Sequence, residues 1–313
     1  MLESLRIASE AVIPLFICMA LGFFLRARGT ISTELAKELN RLCFRIFLPI
    51  YLFQNMYNTD LSEAAVPGAI LFSAAAILGL FGLLMVIIPL MEKDNPRRGS
   101  MVQAIFRSNY ALFGLPLAIS LCGEANSGLA SLLLGINVPM YNILAVFCLE
   151  FFRGGKVQVK RVLKNIVTNP LIVALALGAL CRACGLVLPT ALSKPVTDLG
   201  RVATPLSLVA LGASLKPASI SRNRRPLTII LLCKVLFCPL LIIGAAILAG
   251  FRGDTLVPLM IMAAAPTAVS SFPMAQMLGG DADLAGEAVA LTTAAAVPSL
   301  FIWITLLKQF SMI

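Results

Sequence analysis

Histidine is absent from this sequence of 313 residues, and only 13% of the residues carry a charged side chain. The lack of histidine argues against a zinc site, because imidazole is among the commonest zinc ligands. Cys181 and Cys184 have the spacing of a metal or redox pair, but they end an apolar segment and lack a second ligand pair. We therefore expect no metal ion and no cofactor.

Three signatures of enzymes are missing as well. The sequence contains no His-Glu-x-x-His, no Gly-x-Ser-x-Gly and no P-loop. The polar residues near the centres of the apolar segments are amides and hydroxyls, without a neighbouring base that could activate a nucleophile. The sequence therefore indicates a protein that is not an enzyme and has no catalytic residues.

Apolar residues are what this chain has in abundance, at 59% of the sequence and a mean hydropathy of +0.94. The apolar runs are separated by short polar breaks, and each approaches the roughly 20 residues that cross a bilayer. We predict an all-α integral membrane protein with about ten transmembrane helices. The predicted spans are 7–25, 36–57, 66–91, 100–122, 128–152, 162–182, 192–215, 226–250, 254–278 and 285–308.

The second half of the chain repeats features of the first at a nearly constant distance. Five spans precede the basic segment at the midpoint, and an odd number of spans places the second half in the inverted orientation. The prediction is a 5+5 inverted repeat within one membrane domain, comprising 1–152, a basic linker 153–165 and 166–313. Three proline pairs support it, each 156 or 157 residues apart: Pro14 and Pro170, Pro49 and Pro205, Pro116 and Pro273.

The net charge of +10 would suggest a nucleic-acid partner in a soluble protein, but here the positions of the basic residues are more informative. When the loops are assigned to alternating sides, one side collects most of the lysines and arginines, with the densest run from Arg153 to Lys164. The positive-inside rule makes this side cytoplasmic. We therefore expect a multi-pass protein of the plasma or inner membrane, with both termini outside the cytoplasm and no nucleic-acid partner.

Two of the apolar segments carry interruptions at matching positions. The fourth span contains Asn109 and the run Gly114-Leu-Pro116, and the ninth contains Pro266 and Pro273. A proline removes a helical hydrogen bond, and a broken helix in lipid is costly unless the freed groups are buried or line a cavity. Paired interruptions in two halves are typical of the binding site of a secondary transporter. We predict interrupted helices at spans four and nine, with a transport site between them.

Five short motifs occur in order along the chain: Asn109 with Gly114-Leu-Pro116, Asn137-Val-Pro-Met-Tyr-Asn142, Asn169-Pro170, Ala203-Thr-Pro205-Leu-Ser-Leu and Ala265-Pro266-Thr. Together they resemble the auxin efflux carrier family in its compact bacterial form, over essentially the whole chain. The resemblance implies a ten-helix fold similar to bile acid symporters and sodium/proton antiporters. In that fold spans four and nine cross, spans one, two, six and seven form a scaffold, and the other six form a mobile core.

The same resemblance implies a function. Bacterial relatives are associated with small carboxylates such as malate or malonate, and the plant branch exports the auxin indole-3-acetate. We therefore expect elevator-type transport of a small organic anion, secondary-active or facilitative, and the fold analogy suggests a homodimer. No span has an acidic residue near its centre, which argues against sodium/proton exchange but leaves uniport and proton symport open. A sensor that uses the same fold without transporting is the alternative.

The polar groups expected near the middle of the membrane are amides and hydroxyls, beside backbone N–H groups freed at the breaks. They predict an anion site without a fixed cation. Arg107 and Arg45 are weaker candidates that would guide the anion, and for Arg107 an interfacial anchor is the favoured role. Tyr141 and Ser270 are expected to serve packing. The predicted substrate-binding residues are Asn109, Gly114, Pro116, Asn137, Asn142, Pro266, Thr267, Ser271 and Gln276.

Overall fold

The computed structural model describes residues 2–58, 66–153, 159–216 and 221–313, and within these ranges all regular structure is helical. The prediction of an all-α protein is therefore confirmed for this part of the chain. In chain order the α-helices are α1 (Leu2–Ala27), α2 (Thr33–Leu42), α3 (Leu48–Asn58), α4 (Pro67–Met91), α5 (Asn95–Phe106), α6 (Tyr110–Cys122), α7 (Gly128–Phe151), α8 (Val159–Val167), α9 (Pro170–Ala183), α10 (Thr190–Ser214), α11 (Arg224–Leu232), α12 (Cys238–Leu248), α13 (Leu256–Ala264), α14 (Ser271–Leu278) and α15 (Ala282–Gln309).

Within the described residues, four helical segments are long and apolar enough to cross a bilayer. They are α4, α7, α15 and the run Arg224–Leu248, which contains α11 and α12. A fifth candidate is the pair Asn95–Gly114 and Pro116–Cys122, whose two parts are bent by 62°. The helices thus define a multi-pass membrane protein, and the count of ten spans stays a prediction.

Two helical runs contain a turn of π-helix. Cys43–Phe47 joins α2 to α3, and Cys233–Phe237 joins α11 to α12. A π turn frees carbonyl groups from the regular α-helical pattern and is often found at functional sites. In the second turn the Val235 carbonyl accepts a hydrogen bond from the Trp303 indole of α15 at 3.0 Å. The turn is therefore tied to the helix that packs beside it.

The two interrupted regions lie where α5 gives way to α6 and where α13 gives way to α14. The first break in the helix is Arg107 to Asn109, which includes the predicted Asn109, and the 62° bend follows at the predicted Gly114-Leu-Pro116, where Pro116 lies inside α6. The second break contains Pro266, as the prolines predicted. Pro273 is the third residue of α14, where an N–H has no partner within its helix and its absence costs little.

An ionic network joins three of the segments that connect the helices. Arg97 Nε lies 3.4 Å from Asp281 Oδ2, and Lys216 Nζ lies 3.2 Å from Asp283 Oδ2. The Arg97 side chain also donates to the Asn223 amide oxygen at 2.9 Å. The loops that the charge pattern assigned to one membrane side therefore contact one another. We call this the basic end.

The helices form two packed groups. One group, here called the panel, comprises α1, α2, α3, α9 and α10, with α1 lying along α10 and α3 along α9. In the other group α7 packs on α4, α5 and α6, while α13 packs on α6 and α12. Helix α1 also contacts α15 and so joins the groups. A cavity lies where the panel meets the interrupted helices.

Two glycines allow α1 and α10 to approach closely. A Cβ atom added at Gly22 would lie 2.0 Å from the Val209 carbonyl oxygen, and one at Gly212 would lie 1.9 Å from the Met19 carbonyl oxygen. These distances are far below van der Waals contact, and the atoms met are backbone. Small residues at such positions are how membrane helices gain packing contacts, since lipid supplies no hydrophobic drive between helices.

We expect Gly212→Ala to destabilise the panel, because the new methyl group must push α1 and α10 apart, at a typical overpacking cost of about 1–3 kcal/mol. The measurement is the Tm of the purified protein in detergent. Gly79→Ala in α4 is the matched control, since a Cβ there meets nothing within 4 Å and alanine favours helix more than glycine. A Tm for Gly212→Ala equal to that of the control would contradict the close approach of these helices.

Candidate functional site

The two breaks meet each other, and each supplies hydrogen-bond partners for the other. The Asn109 N–H donates to the Pro266 carbonyl at 2.8 Å. The Thr267 hydroxyl donates to the Ala104 carbonyl at 2.7 Å, and the Gln103 amide donates to the Ser271 carbonyl at 3.1 Å. Broken helices are tolerated in a membrane when their freed backbone groups are buried and paired in this way.

Arg107 occupies the centre of this junction, with 1% of its side chain exposed. Its Nη2 donates to the Ser270 hydroxyl at 2.7 Å and to the Asn142 amide oxygen at 3.1 Å. Its Nε is buried without a hydrogen-bond partner. No carboxylate in the described ranges forms an ion pair with this guanidinium. The site therefore contains a buried positive charge held by neutral groups.

This position corrects the sequence analysis in two respects. Arg107 is buried and is not an interfacial anchor, and a fixed cation lies at the junction where the sequence predicted none. The physical reason is the early end of α5 at Phe106: Arg107 takes an extended backbone conformation there (φ −73°, ψ 131°), so its side chain enters the break. A helix continuing past Phe106 would have aimed it elsewhere.

A cavity of about 50 Å³ lies beside the guanidinium, large enough for a few water molecules or a small carboxylate. One wall is formed by the breaks and α7, and the other by the panel helices α3, α9 and α10. The wall formed by the breaks and α7 includes Arg107, Ser108, Asn109, Val138, Tyr141, Asn142, Ala268, Val269 and Ser270. The wall formed by the panel helices includes Leu48, Tyr51, Leu52, Leu171, Thr204 and Ser207.

Three polar groups of the first break are buried without a protein partner. They are Arg107 Nε, the Ser108 hydroxyl and the Asn109 side-chain amide. Buried polar groups in folded proteins are nearly always hydrogen-bonded, and each unsatisfied group costs about 1–3 kcal/mol. All three can donate a hydrogen bond, and all three residues line the cavity. The arrangement suits a ligand that accepts several hydrogen bonds, as a carboxylate does.

The structure brings Asn109 and Asn142 together at the cavity, along with Tyr141 and Ser270, which were expected to serve packing. Pro266, Thr267 and Ser271 lie in or next to the second break, but they do not line the cavity. They hold the junction instead, through the bonds to Asn109, Ala104 and Gln103 described above and a weak 3.4 Å contact of the Ser271 hydroxyl with Arg107.

Two predicted amides lie away from the cavity. The Asn137 side-chain oxygen accepts a hydrogen bond from Ser73 of α4 at 2.6 Å, so it ties α7 to its neighbour. Gln276 accepts a hydrogen bond from Asn40 of α2, which links α14 to the panel. A polar residue near the middle of a span can face a neighbouring helix as readily as a cavity, and only the helix rotation distinguishes the two.

Three further candidates have other roles. Gly114 makes room for an aromatic ring, because a Cβ there would lie 2.7 Å from the ring of Tyr110. Pro116 is exposed within α6, and Arg45 is exposed in the π turn that follows α2. None of these residues lines the cavity. Ser108, Thr204 and Ser207 line the cavity but were not predicted from the sequence, although the last two belong to the span-seven motif and Ser108 precedes Asn109.

The helices and this buried polar site define a membrane protein built around interrupted helices. Residues 7–304 match the model of the family described as "Membrane transport protein". The chain belongs to this family of membrane transporters, which confirms its recognition as an auxin efflux carrier family member. It is 23% identical to an "Uncharacterized transporter" of Methanothermobacter thermautotrophicus over 300 residues (95% of this chain, 97% of the relative). It is 22% identical to another of Methanocaldococcus jannaschii over 307 residues (95% and 98%).

Removing the Thr267 hydroxyl tests the junction between the breaks. We expect Thr267→Val to lower the Tm of the purified protein, because a buried bond to the Ala104 carbonyl is lost, at about 0.6 kcal/mol for an average hydrogen bond in a membrane protein and up to about 1.7. Thr305→Val is the matched control, since the buried Thr305 hydroxyl has no partner to lose. A Tm loss in the control as large as that in Thr267→Val would contradict this role.

Proposed function

We propose that this protein transports a small organic anion with one or two carboxylates, such as malonate or malate, across the cell membrane by alternating access. The observation that carries the proposal is the buried Arg107 guanidinium, which lines a cavity at the junction of two broken helices and has no carboxylate partner in the described ranges. An unpaired buried cation is costly unless an anion joins it.

The bound carboxylate accepts hydrogen bonds from Arg107 Nε, the Ser108 hydroxyl and the Asn109 amide. Guanidinium groups hold carboxylates through directed N–H bonds, and these bonds are stronger than neutral ones. Among the described residues, Arg107 is the one buried cation that lines the cavity, which allows the carrier to release its anion again. The cavity of about 50 Å³ is small, which favours a small carboxylate over a larger aromatic acid.

The arrangement of the two walls supports an elevator mechanism. The unsatisfied buried donors that line the cavity in the described ranges all belong to the first break, and the groups that accept from Arg107 Nη2 belong to the second break and α7. The panel contributes mainly apolar side chains, with the hydroxyls of Tyr51, Thr204 and Ser207. The anion is thus held by one group of helices, and that group can slide along the panel without breaking the bonds to its cargo.

Helix positions support the inverted repeat. Helix α2 begins at Thr33 and α10 at Thr190, and α4 begins at Pro67 and α11 at Arg224. Both pairs of starts are 157 residues apart, which is the distance between Pro116 and Pro273. Two five-helix halves of opposite orientation meeting at their broken helices place the site between the halves, as in other carriers with inverted repeats.

Replacing the central cation provides the main test. We expect Arg107→Gln to abolish the thermal stabilisation of the purified protein by malonate, and its exchange in proteoliposomes, because the ligand loses its charged partner. Stabilisation by a ligand follows mass action, about 2.7 kcal/mol at one hundred times its Kd. The measurements are Tm with and without malonate, malate, succinate and indole-3-acetate, and flux of the anion that stabilises.

Arg45→Gln is the matched control, because Arg45 is exposed and lies away from the cavity. This variant should bind and exchange the anion as the wild type does. Retained binding in a folded Arg107→Gln variant would contradict the proposed site, and wild-type protein that is folded yet stabilised by none of the carboxylates would contradict the substrate class.

The proposed orientation places the basic end in the cytoplasm and both termini outside. Cys184, exposed at the end of α9, then faces the outside. In a variant whose other cysteines are replaced, we expect a membrane-impermeant maleimide to label Cys184 in intact cells. A variant carrying only Arg224→Cys, at the basic end, should react only after the membrane is permeabilised. The opposite labelling pattern would reverse the orientation.

A further inference from the structure

A second buried cation lies in the core, at Lys234. It is the second residue of the π turn Cys233–Phe237, and 3% of its side chain is exposed. The described part of the chain offers its ammonium no ion pair and no hydrogen bond. The free-energy cost of a lysine in a bilayer core is about 2.5–3.5 kcal/mol on the scale from insertion experiments, which gives the lower estimates. Its presence there therefore calls for a function.

Lys234 lines a cavity of about 10 Å³, which is room for about one water molecule. Tyr141 and Phe106 line the same cavity. Tyr141 also lines the cavity beside Arg107, and Phe106 is the residue before Arg107. The cavity beside Lys234 and the cavity of the proposed anion site therefore share Tyr141 as a lining residue.

The surroundings of the amine contain no carboxylate in the described ranges. The titratable groups that face the Lys234 amine are Tyr141 of α7, Cys238 of α12 and the adjacent Cys233. The Arg107 guanidinium lies on the other side of Tyr141. Helices α4, α5 and α13 present only apolar residues, and α15 contributes the Trp303 indole to the same turn. The apolar residues of the cavity are Ile77, Leu80, Ile105, Phe106, Ile242, Met262 and Ala263.

We propose that Lys234 is the proton-binding site of this carrier: its amine takes a proton from water when an anion binds beside Arg107 and releases the proton when the anion leaves. The inference rests on the proposed function, and it makes the transporter a proton symporter. A lysine is suited to this role because a buried amine gives up its proton readily, whereas arginine stays charged.

Electrostatics gives the direction of the coupling. In the empty carrier the Arg107 charge repels a second positive charge, and in a low-dielectric interior this repulsion is only weakly screened. A carboxylate beside Arg107 cancels that charge and so favours the ammonium form. With a monocarboxylate, the empty site (charged arginine, neutral amine) and the loaded site (arginine, ammonium, anion) carry the same net charge. Both forms can then cross the membrane at similar electrostatic cost.

The first test measures protons directly. Malonate is added to purified protein in weak buffer near neutral pH, and a pH-sensitive dye reports proton uptake. We expect the wild type to absorb up to about one proton per bound anion by linkage. Lys234→Met, which removes an unpaired buried charge, and Lys234→Arg, which stays protonated, should bind malonate without this uptake. Lys308→Arg, an exposed position at the end of α15, is the control and should behave as wild type.

The second test separates exchange from net transport in proteoliposomes. Exchange of malonate for malonate needs only the loaded carrier, so Lys234→Arg should retain it. Net uptake driven by a pH gradient requires the empty carrier to return without the proton. Net malonate uptake by Lys234→Arg should therefore fall to the level measured in protein-free liposomes.

The outcomes distinguish the two proposals. Wild-type protein that binds malonate without absorbing a proton, or Lys234→Met and Lys234→Arg variants that absorb as many protons as wild type, would overturn the inference while leaving anion transport intact. A folded wild type that neither binds nor exchanges malonate would overturn the proposed function for this anion and the inference with it.

Discussion

The junction between the two broken helices depends on one constraint: a membrane interior offers no hydrogen bonds to an exposed backbone. A single interruption would leave its N–H and carbonyl groups unpaired. Here the Asn109 N–H meets the Pro266 carbonyl, and Thr267 and Gln103 complete the exchange between the breaks. Each break can exist because the other one faces it. A cavity lies beside the paired breaks and is lined by residues of both.

The same junction explains how an arginine can lie at the centre of the core. Its guanidinium is held by the hydroxyl of Ser270 and the amide of Asn142, which are neutral acceptors. A carboxylate in either place would neutralise the cation permanently and leave little attraction for an anion from outside. Neutral acceptors fix the position of the charge without cancelling it. The cost in stability falls on the empty protein, and the proposed anion would offset it on binding.

Features of the fold and of the cavity that depend on local chemistry could be predicted from the sequence, whereas features that depend on tertiary contacts could not. Composition and prolines sufficed for an all-helical membrane protein with a break at Pro266, because both depend on local chemistry. Asn109 and Asn142 were identified because amides are rare inside apolar segments. Asn137 and Gln276 look the same in sequence, yet they bind Ser73 and Asn40 on other helices. The prediction for Arg107 was wrong, because its position depends on where α5 ends. The end of α5 is set by tertiary hydrogen bonds to the second break.

The buried cations Arg107 and Lys234 differ in the cavities they border and in their acid–base chemistry. Arg107 borders a cavity large enough for a carboxylate, whereas Lys234 borders one with room for about a single water. A guanidinium keeps its charge throughout a cycle and offers directed donors, which suits the binding of cargo. An amine can lose its charge, which suits a site that must be positive only while the cargo is present. Exchanging the two residue types would leave a cation that can lose its charge at the proposed anion site and a permanent charge at the proposed proton site. The positions therefore match the chemistry of each side chain.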